Sequence, residues 1–359
     1  MSVPRTFKSA IVEAPRAKTV IKDVPTPEPK PDEVLIKITA AAINPVDWKM
    51  RDEPDTYPYL KEYPTPLGSD AAGIVAAVGS SVDSSHLKVG DPVFFQGIIG
   101  NPRNSTLQQY AVMPAELAAL RPSNITEEEA AGISLASACA LVGMYHDTSS
   151  TPTKPGPWEP KGDAAGKGKA LVVLGGSSSV GQYVIQLARL SGYTQIITGS
   201  SPSHHEHLKQ LGATAVLDRN VADATHYVSA LRGLAVDYVY DAISEESTNK
   251  LAIEILQRSS GNKTGKLNMI SVIPPSQAVK AEAKQAGVDI SFILGMGSLP
   301  HVRPISVPFF KALTGWLKEG KFVPNRTRLI NGGLPAIEQA LEANKTASGV
   351  KIIIRPHDA

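Results

Sequence analysis

Residues 170–190 read ALVVLGGSSSVGQYVIQLARL, and this stretch decides the fold. Five consecutive apolar residues, Ala170–Leu174, stop at Gly175-Gly176. A run that short, apolar at every position, predicts a strand buried on both faces of a parallel sheet. Residues 180–190 come next with the apolar spacing of a helix. The turn between them, GGSSSVG, is of the kind that holds a dinucleotide pyrophosphate: a tight glycine turn, exposed backbone amides and a helix N-terminus. Gly176 and Gly181 take the outer positions of a G-x-G-x-x-G pattern, with Ser177, Ser178, Ser179 and Val180 between them. Ser178 stands in the middle glycine position, where its hydroxyl could donate to a phosphate. A generic strand-to-helix turn is the competing reading.

The downstream residues favour the dinucleotide. Strand candidates recur at 195–200 (QIITGS), 215–218 (AVLD), 236–242 (VDYVYDA) and 266–271 (KLNMIS), with helical stretches between them. Such alternation predicts an α/β fold with a Rossmann-type, doubly wound parallel sheet. In such a sheet an acid at the end of the second strand marks a 2′-hydroxyl. Here that strand ends Thr198-Gly199-Ser200-Ser201-Pro202-Ser203-His204-His205, with no acid before Glu206. Ser200, Ser201, Ser203 and His204, with Arg219 after the third strand, suit a 2′-phosphate, so NADPH is expected over NADH. A helix cap explains Ser203 equally well. The spacing of His204, His205 and His207 does not put three ligands on one helix face, so no metal is expected there.

Upstream, residues 1–125 read as short strands punctuated by Gly and Pro, which predicts a β-rich, partly open barrel. Thr126 with Glu129 forms a capping box. Residues 148–168, rich in Pro, Gly, Ser and Thr, read as a mobile loop or linker. After it comes the Rossmann pattern. Near the C-terminus two helices, at 307–319 and 334–343, precede a strand at 350–354 that could rejoin the N-terminal sheet. The expected division is 1–125 with 306–359 as one discontinuous domain and 126–305 as the dinucleotide-binding domain. Residues 288–305, apolar and glycine-rich, could line a substrate cleft or pack between subunits.

Composition narrows the function. The chain has 359 residues, 42% apolar and 19% charged, an ordinary globular make-up. Lys and Arg number 36 against 34 Asp and Glu, too even a balance to steer the protein to nucleic acid or a membrane. The single cysteine, Cys139, excludes an intrachain disulfide framework and cysteine-rich zinc sites. No signal peptide is visible, which predicts a cytoplasmic protein. Cys139 itself could be a reactive thiol or a small buried hydrophobe.

A second polar cluster, AINPVDWKM at 42–50, comes after an apolar strand. Asp47 and Lys49 are two apart and could share one side of an extended segment. A solvated turn with a surface ion pair is the plainer reading. The order of motifs is more informative: Asn44-Pro45-Val46-Asp47, Gly68-Ser69-Asp70-Ala71-Ala72-Gly73, Val78-Gly79, Val89-Gly90-Asp91-Pro92-Val93, the SSSVG turn, Gly332-Gly333-Leu334 and Ser348-Gly349-Val350-Lys351. Over nearly its whole length the chain resembles the medium-chain dehydrogenase/reductase superfamily. Within it, the likeness is to the zinc-free quinone oxidoreductase and enoyl reductase branch, and to fungal ToxD-like reductases that act in trans with polyketide synthases.

The resemblance implies a GroES-like catalytic domain, a Rossmann domain and NADPH. Zinc members carry a cysteine near position 44 and Gly-His-Glu near 68–70; this chain has Asn44 and Gly68-Ser69-Asp70, so no catalytic zinc is expected. It further implies that Val46, Asp47, Trp48 and Lys49 line the nicotinamide end, with Lys49 and Asp47 as the catalytic candidates. Lys49 matches a lysine that could bond a substrate carbonyl or the ribose. Ser177 to Val180 match the pyrophosphate loop, Ser200, Ser201, Ser203 and His204 the 2′-phosphate loop, Val272 and Ile273 the segment after the fifth strand, and Lys351 a C-terminal cofactor contact. Cys139 stands where a threonine often faces the nicotinamide, and Arg219 where a tyrosine often meets the adenosine phosphate. Without zinc, the hydride acceptor must already be activated. The expected function is reduction of a C=C bond conjugated to a carbonyl, on a small or carrier-tethered substrate. A quinone reductase, or an NADPH-binding partner without catalysis, is the alternative, and a monomer or a homodimer is open.

Overall fold

The computed structural model describes residues 3–150, 152–260 and 267–358. The chain divides into two compact units: Met1–Leu135 with Gly297–Pro300 and Phe310–Ala359, and Ala136–Met296 with His301–Phe309.

The second unit holds a six-stranded sheet in the order Ala215–Asp218, Gln195–Ser200, Ala170–Leu174, Val236–Asp241, Leu267–Ser271, Val288–Phe292, every pair parallel. Numbered along the chain this is 3-2-1-4-5-6, the dinucleotide-binding order, which reverses direction beside Ala170–Leu174. All five residues of that strand are buried, which is why it is apolar throughout. Ala170, Val172 and Leu174 pack into a cluster with Ile197, Val239, Met269, Ile253 and Leu256. The next helix, Ser179–Leu190, is capped by Ser178, whose hydroxyl oxygen accepts from the Gly181 amide at 3.0 Å. The stretch expected from 266 begins as a strand at Leu267; Lys266 lies outside the described residues.

Residues 288–292 form the sixth strand, paired with Leu267–Ser271. Residues 152–168 are tied down within this unit. Trp158 sits edge-on to Tyr145 at 5.1 Å and to Phe309 at 5.8 Å between ring centroids. Thr153 is buried, its hydroxyl 2.7 Å from the Tyr193 hydroxyl. An aromatic anchor and a buried hydrogen bond hold the segment against its own unit.

The first unit is built on antiparallel pairing, except that Thr327–Leu329 pairs parallel with Lys351–Ile354. Its larger sheet runs Thr327–Leu329, Lys351–Ile354, Glu33–Ile43, Ala71–Val78, Pro92–Phe95, Ala118–Leu120, and Tyr110–Pro114 also pairs with Glu33–Ile43. A smaller sheet runs Thr19–Pro25, Thr6–Val12, Thr65–Pro66. The strand at the C-terminus, Lys351–Ile354, pairs antiparallel with the end of Glu33–Ile43. Two register shifts between Glu33–Ile43 and Ala71–Val78 bend the pair. The apolar stretch after Thr126 is two helices, Glu127–Ala131 and Ser134–Tyr145, divided at Gly132. Thr126 and Glu129 cap the first as a reciprocal box. Among the described residues no helix is long and apolar enough to cross a membrane.

Candidate active site

In the second unit the site is the turn after Ala170–Leu174. Three glycines make it, and none can carry a side chain. Gly175 has φ +74°, and a Cβ there would lie 2.3 Å from Ile243. A Cβ on Gly176 would lie 2.1 Å from the Thr198 hydroxyl, and one on Gly181 would lie 2.3 Å from the carbonyl oxygen of Gly175. The backbone is therefore drawn tight under the helix start, leaving the partly exposed Ser177, Ser178, Ser179 and Val180 at the helix N-terminus. That geometry fits a pyrophosphate. Gly181→Ala is expected to distort the turn, since a methyl group cannot displace backbone. NADPH affinity should fall by more than about tenfold, as measured by fluorescence titration, the loss of one good charge-assisted contact being worth about 1.5–3 kcal/mol. Unchanged affinity would remove this turn from the cofactor site.

Ser200 ends the second strand buried, its backbone carbonyl accepting from the Arg219 amide at 3.1 Å. Arg219 is exposed, Ser203 is exposed, and Ser201 and His204 are half-buried. The backbone at Arg219 is tied by that hydrogen bond to the end of the second strand. Asp218 pairs in register with Ser200. Its carboxylate accepts from the Asn220 backbone and side chain, each at 3.0 Å. Beyond the fourth strand, buried Asp241 accepts from the amides of Ile243 and Ser244 and from Asn249. The Ser244 hydroxyl oxygen in turn accepts from Val272 at 2.8 Å, which fixes the partly exposed Val272-Ile273 backbone. Cys139 is half-buried, under Gly295, where a Cβ would come within 2.2 Å of its sulfur; its carbonyl accepts from Tyr240.

In the first unit the cluster 42–50 is helical, not extended. The helix Pro45–Asp52 begins at Asn44 with proline in its first turn. Asp47 reaches back to accept from the Asn44 amide at 2.8 Å, as a capping-box acid does. Two residues on a helix point to different sides, so Asp47 and Lys49 diverge. Asp47 is fully buried, with its other oxygen 3.3 Å from the Ser69 hydroxyl. The catalytic role expected of it does not fit: both oxygens face protein, and it positions the helix. Lys351 belongs to the same buried cluster. It is buried, bonds the Asn44 side chain, and pairs with Asp70 at 3.5 Å. Asp70 is buried too, accepting from the Ser134 and Leu135 amides at 3.1 and 3.2 Å. The aliphatic stem of Lys351 lies on Gly132, where a Cβ would come within 2.8 Å.

Burial pushes Asp47 up to about 7, with Asn44, Lys351 and Ser69 opposing and Asp70 reinforcing it. Burial pushes Asp70 up to about 6 against Lys351 and the helix amides. A carboxyl whose folded value is raised stabilises fully below its unfolded value and loses that contribution as pH rises through the folded one. The folded state should therefore weaken between about pH 4 and pH 7 from this cluster. Asp47→Asn keeps an acceptor for the Asn44 amide and removes the ionisation. It should flatten that part of the profile in thermal melts; an unchanged profile would show that Asp47 does not titrate there.

Around this core the helix shows its other side. Val46, Trp48 and Lys49 are half-buried. The Trp48 indole donates to Asn344 at 3.1 Å, and Asn344 donates to the Ile43 carbonyl. Arg51 grips Glu338 through both carboxylate oxygens at 2.8 and 2.9 Å, and Glu338 also takes the Thr19 amide and hydroxyl. Lys49 is thus held on a helix fixed at both ends.

Residues 30–123 match the alcohol dehydrogenase GroES-like domain family, and residues 179–285 the zinc-binding dehydrogenase family. The latter name implies zinc, but the residues do not fit it. Among those described, no group of three or more His, Cys, Asp or Glu could hold a metal ion, and Asn44, Ser69 and Asp70 are engaged with protein partners. A zinc-type alcohol dehydrogenase-like protein of Schizosaccharomyces pombe is 32% identical over 97% of this chain and 99% of its own. A trans-enoyl reductase of Aspergillus flavipes is 31% identical over 98% and 99%. The fold matches the CurK enoyl reductase structure at TM-score 0.74 and 20% identity, covering 98% and 99%. It also matches the Escherichia coli quinone oxidoreductase complexed with NADPH at 0.72 and 19%, covering 98% and 100%. With two sequence relatives above 30% identity spanning nearly every residue, the chain belongs to the medium-chain dehydrogenase/reductase superfamily, among the relatives of fungal trans-enoyl reductases.

Proposed function

We propose that the protein is an NADPH-dependent, zinc-independent reductase of C=C bonds conjugated to a carbonyl, of enoyl reductase type. The observation that carries the proposal is a strand-to-helix turn drawn tight by Gly175, Gly176 and Gly181, in a chain that also presents a half-buried lysine on a rigid helix. Trans-enoyl reductase relatives over the full chain length support it. NADPH, when bound, supplies the hydride.

The chain's own residues do the rest. Backbone amides at Ser177–Val180 and the helix N-terminus hold the pyrophosphate. Ser200, Ser201, Ser203, His204 and Arg219 receive the 2′-phosphate. Val46, Trp48, Cys139, Val272 and Ile273 border the cofactor's nicotinamide half. The Lys49 ammonium donates to the substrate carbonyl oxygen, drawing charge toward the oxygen as the β-carbon accepts hydride. The same ammonium, or solvent, returns a proton to the α-carbon. Asp47 and Lys351 keep the start of the lysine-bearing helix in place.

The substrate class is an enoyl thioester or enone, free or tethered to a partner polyketide synthase, in the cytoplasm. Loss of NADPH absorbance is followed with enoyl thioesters, enones, aldehydes and quinones, each repeated with NADH. Turnover of conjugated alkenes with NADPH supports the proposal. Turnover of quinones alone, or bound NADPH without turnover of free or carrier-bound enoyl groups, would refute it.

A further inference from the structure

The helix Pro45–Asp52 ends at Glu53, whose backbone has left the helical conformation, and a turn over 54–56 follows. The Glu53 amide donates to the Lys49 carbonyl at 2.8 Å, and the Tyr57 amide donates to the Glu53 carbonyl at 3.0 Å. The turn brings Tyr57 back beside Lys49. Tyr57 is half-buried, and its backbone is held further by the Tyr59 amide, 2.8 Å from the Tyr57 carbonyl. The Lys49 ammonium lies 3.3 Å from the Tyr57 hydroxyl oxygen and 5.2 Å from its ring centroid. The Trp48 ring centroid is 5.5 Å from the same ammonium. A flexible four-carbon side chain loses rotamer freedom when its charge is held by two rings. Trp48 is itself pinned by Asn344, and Lys345 stands 5.3 Å from its ring.

We infer that Tyr57 is a positioning residue for Lys49: together with Trp48 it holds the ammonium and sets where that donor points. The inference rests on the proposed role of Lys49, and its value to the enzyme is preorganisation. A donor already held in place acts on the carbonyl without first being ordered. Tyr57 takes no proton and touches no reacting atom. The ring supplies the larger part, and the hydroxyl oxygen adds one acceptor.

The test compares Tyr57→Leu, Tyr57→Phe and Lys49→Met, with Tyr57→Leu repeated in the Lys49→Met background. The readouts are kcat and KM for an enoyl thioester, NADPH affinity by fluorescence, and thermal melting. Tyr57→Leu should lower kcat about tenfold, the scale of a partly desolvated cation–ring contact. NADPH affinity and melting should stay unchanged. Tyr57→Phe should keep most of the rate, and Tyr57→Leu should cost nothing further once Lys49 is gone. A Tyr57→Leu enzyme with full kcat, or the same loss in both backgrounds, overturns the inference while Lys49 keeps its role. A Lys49→Met enzyme with full activity overturns both.

Discussion

Lys49→Met should lower kcat/KM for an enoyl thioester by about a hundredfold or more, the usual scale for removing a positioned proton donor. NADPH affinity should change little, because the residues proposed to hold its phosphates, 177–180 and 200–219, do not include Lys49. The side chain is half-buried at the middle of a helix that is capped by Asn44 at one end and clasped by Arg51 and Glu338 at the other. Methionine keeps most of its length and an apolar stem, so packing changes little. Lys49→Arg is expected to rescue only in part, since a planar guanidinium beside Trp48 and Tyr57 presents its donors in other directions. Turnover within a few-fold of the wild type for Lys49→Met would show that carbonyl activation comes from elsewhere.

Lys351→Met should destabilise the folded protein by about 3–5 kcal/mol near pH 8, the cost of leaving a buried carboxylate without its counter-charge. Lys351 is 2% exposed and Asp70 0% exposed, so water cannot replace the ammonium. The two amides on the other Asp70 oxygen remain, and they soften the loss without cancelling it. The pH dependence identifies the cause. With the ammonium gone, the Asp70 carboxyl, already pushed up to about 6 by burial, should rise further. A raised folded value means the neutral form is favoured, so the loss should shrink toward acid pH and grow as pH rises. Asp70→Asn in the same chain should recover part of the stability at pH 8. A loss equal at acid and alkaline pH would point to packing on Gly132 rather than charge.

The two units differed in how openly the sequence declared them. Ala170–Leu174 is legible because a strand buried at every position has no polar residue to interrupt it. Val288–Phe292 is not, because an edge strand carries Asp289 and Ser291 within it and reads as mixed sequence. The strand-to-helix turn is legible because its three glycines are close in sequence, although Gly175 and Gly176 must avoid Ile243 and Thr198 from elsewhere in the chain. The cluster around Asp47 is a different case. Asn44-Pro45-x-Asp47 is a helix-start signal, an N-cap followed by proline and an acid at the third position, and it was available. Read as extended sequence, it put Asp47 and Lys49 together; read as a helix, it separates a buried cap from a presented lysine. Lys351 meets Asn44 and Asp70 only through sheet pairing at the far end of the chain, and no local pattern reports that. Tyr57 was hidden by the loop-like residues Pro54, Asp55 and Thr56, which form the turn that brings it back to Lys49.

The central claim is that this chain moves hydride from NADPH to the β-carbon of a conjugated carbonyl compound. The most direct measurement uses NADPH deuterated at the transferable position of the nicotinamide, an enoyl thioester and the intact protein, with the product read by mass spectrometry. The account predicts a saturated thioester carrying one deuterium, on the carbon β to the carbonyl, and the same label pattern at a far lower rate with Lys49→Met. A saturated product without deuterium at that carbon, or no saturated product from a protein that holds NADPH, would contradict it.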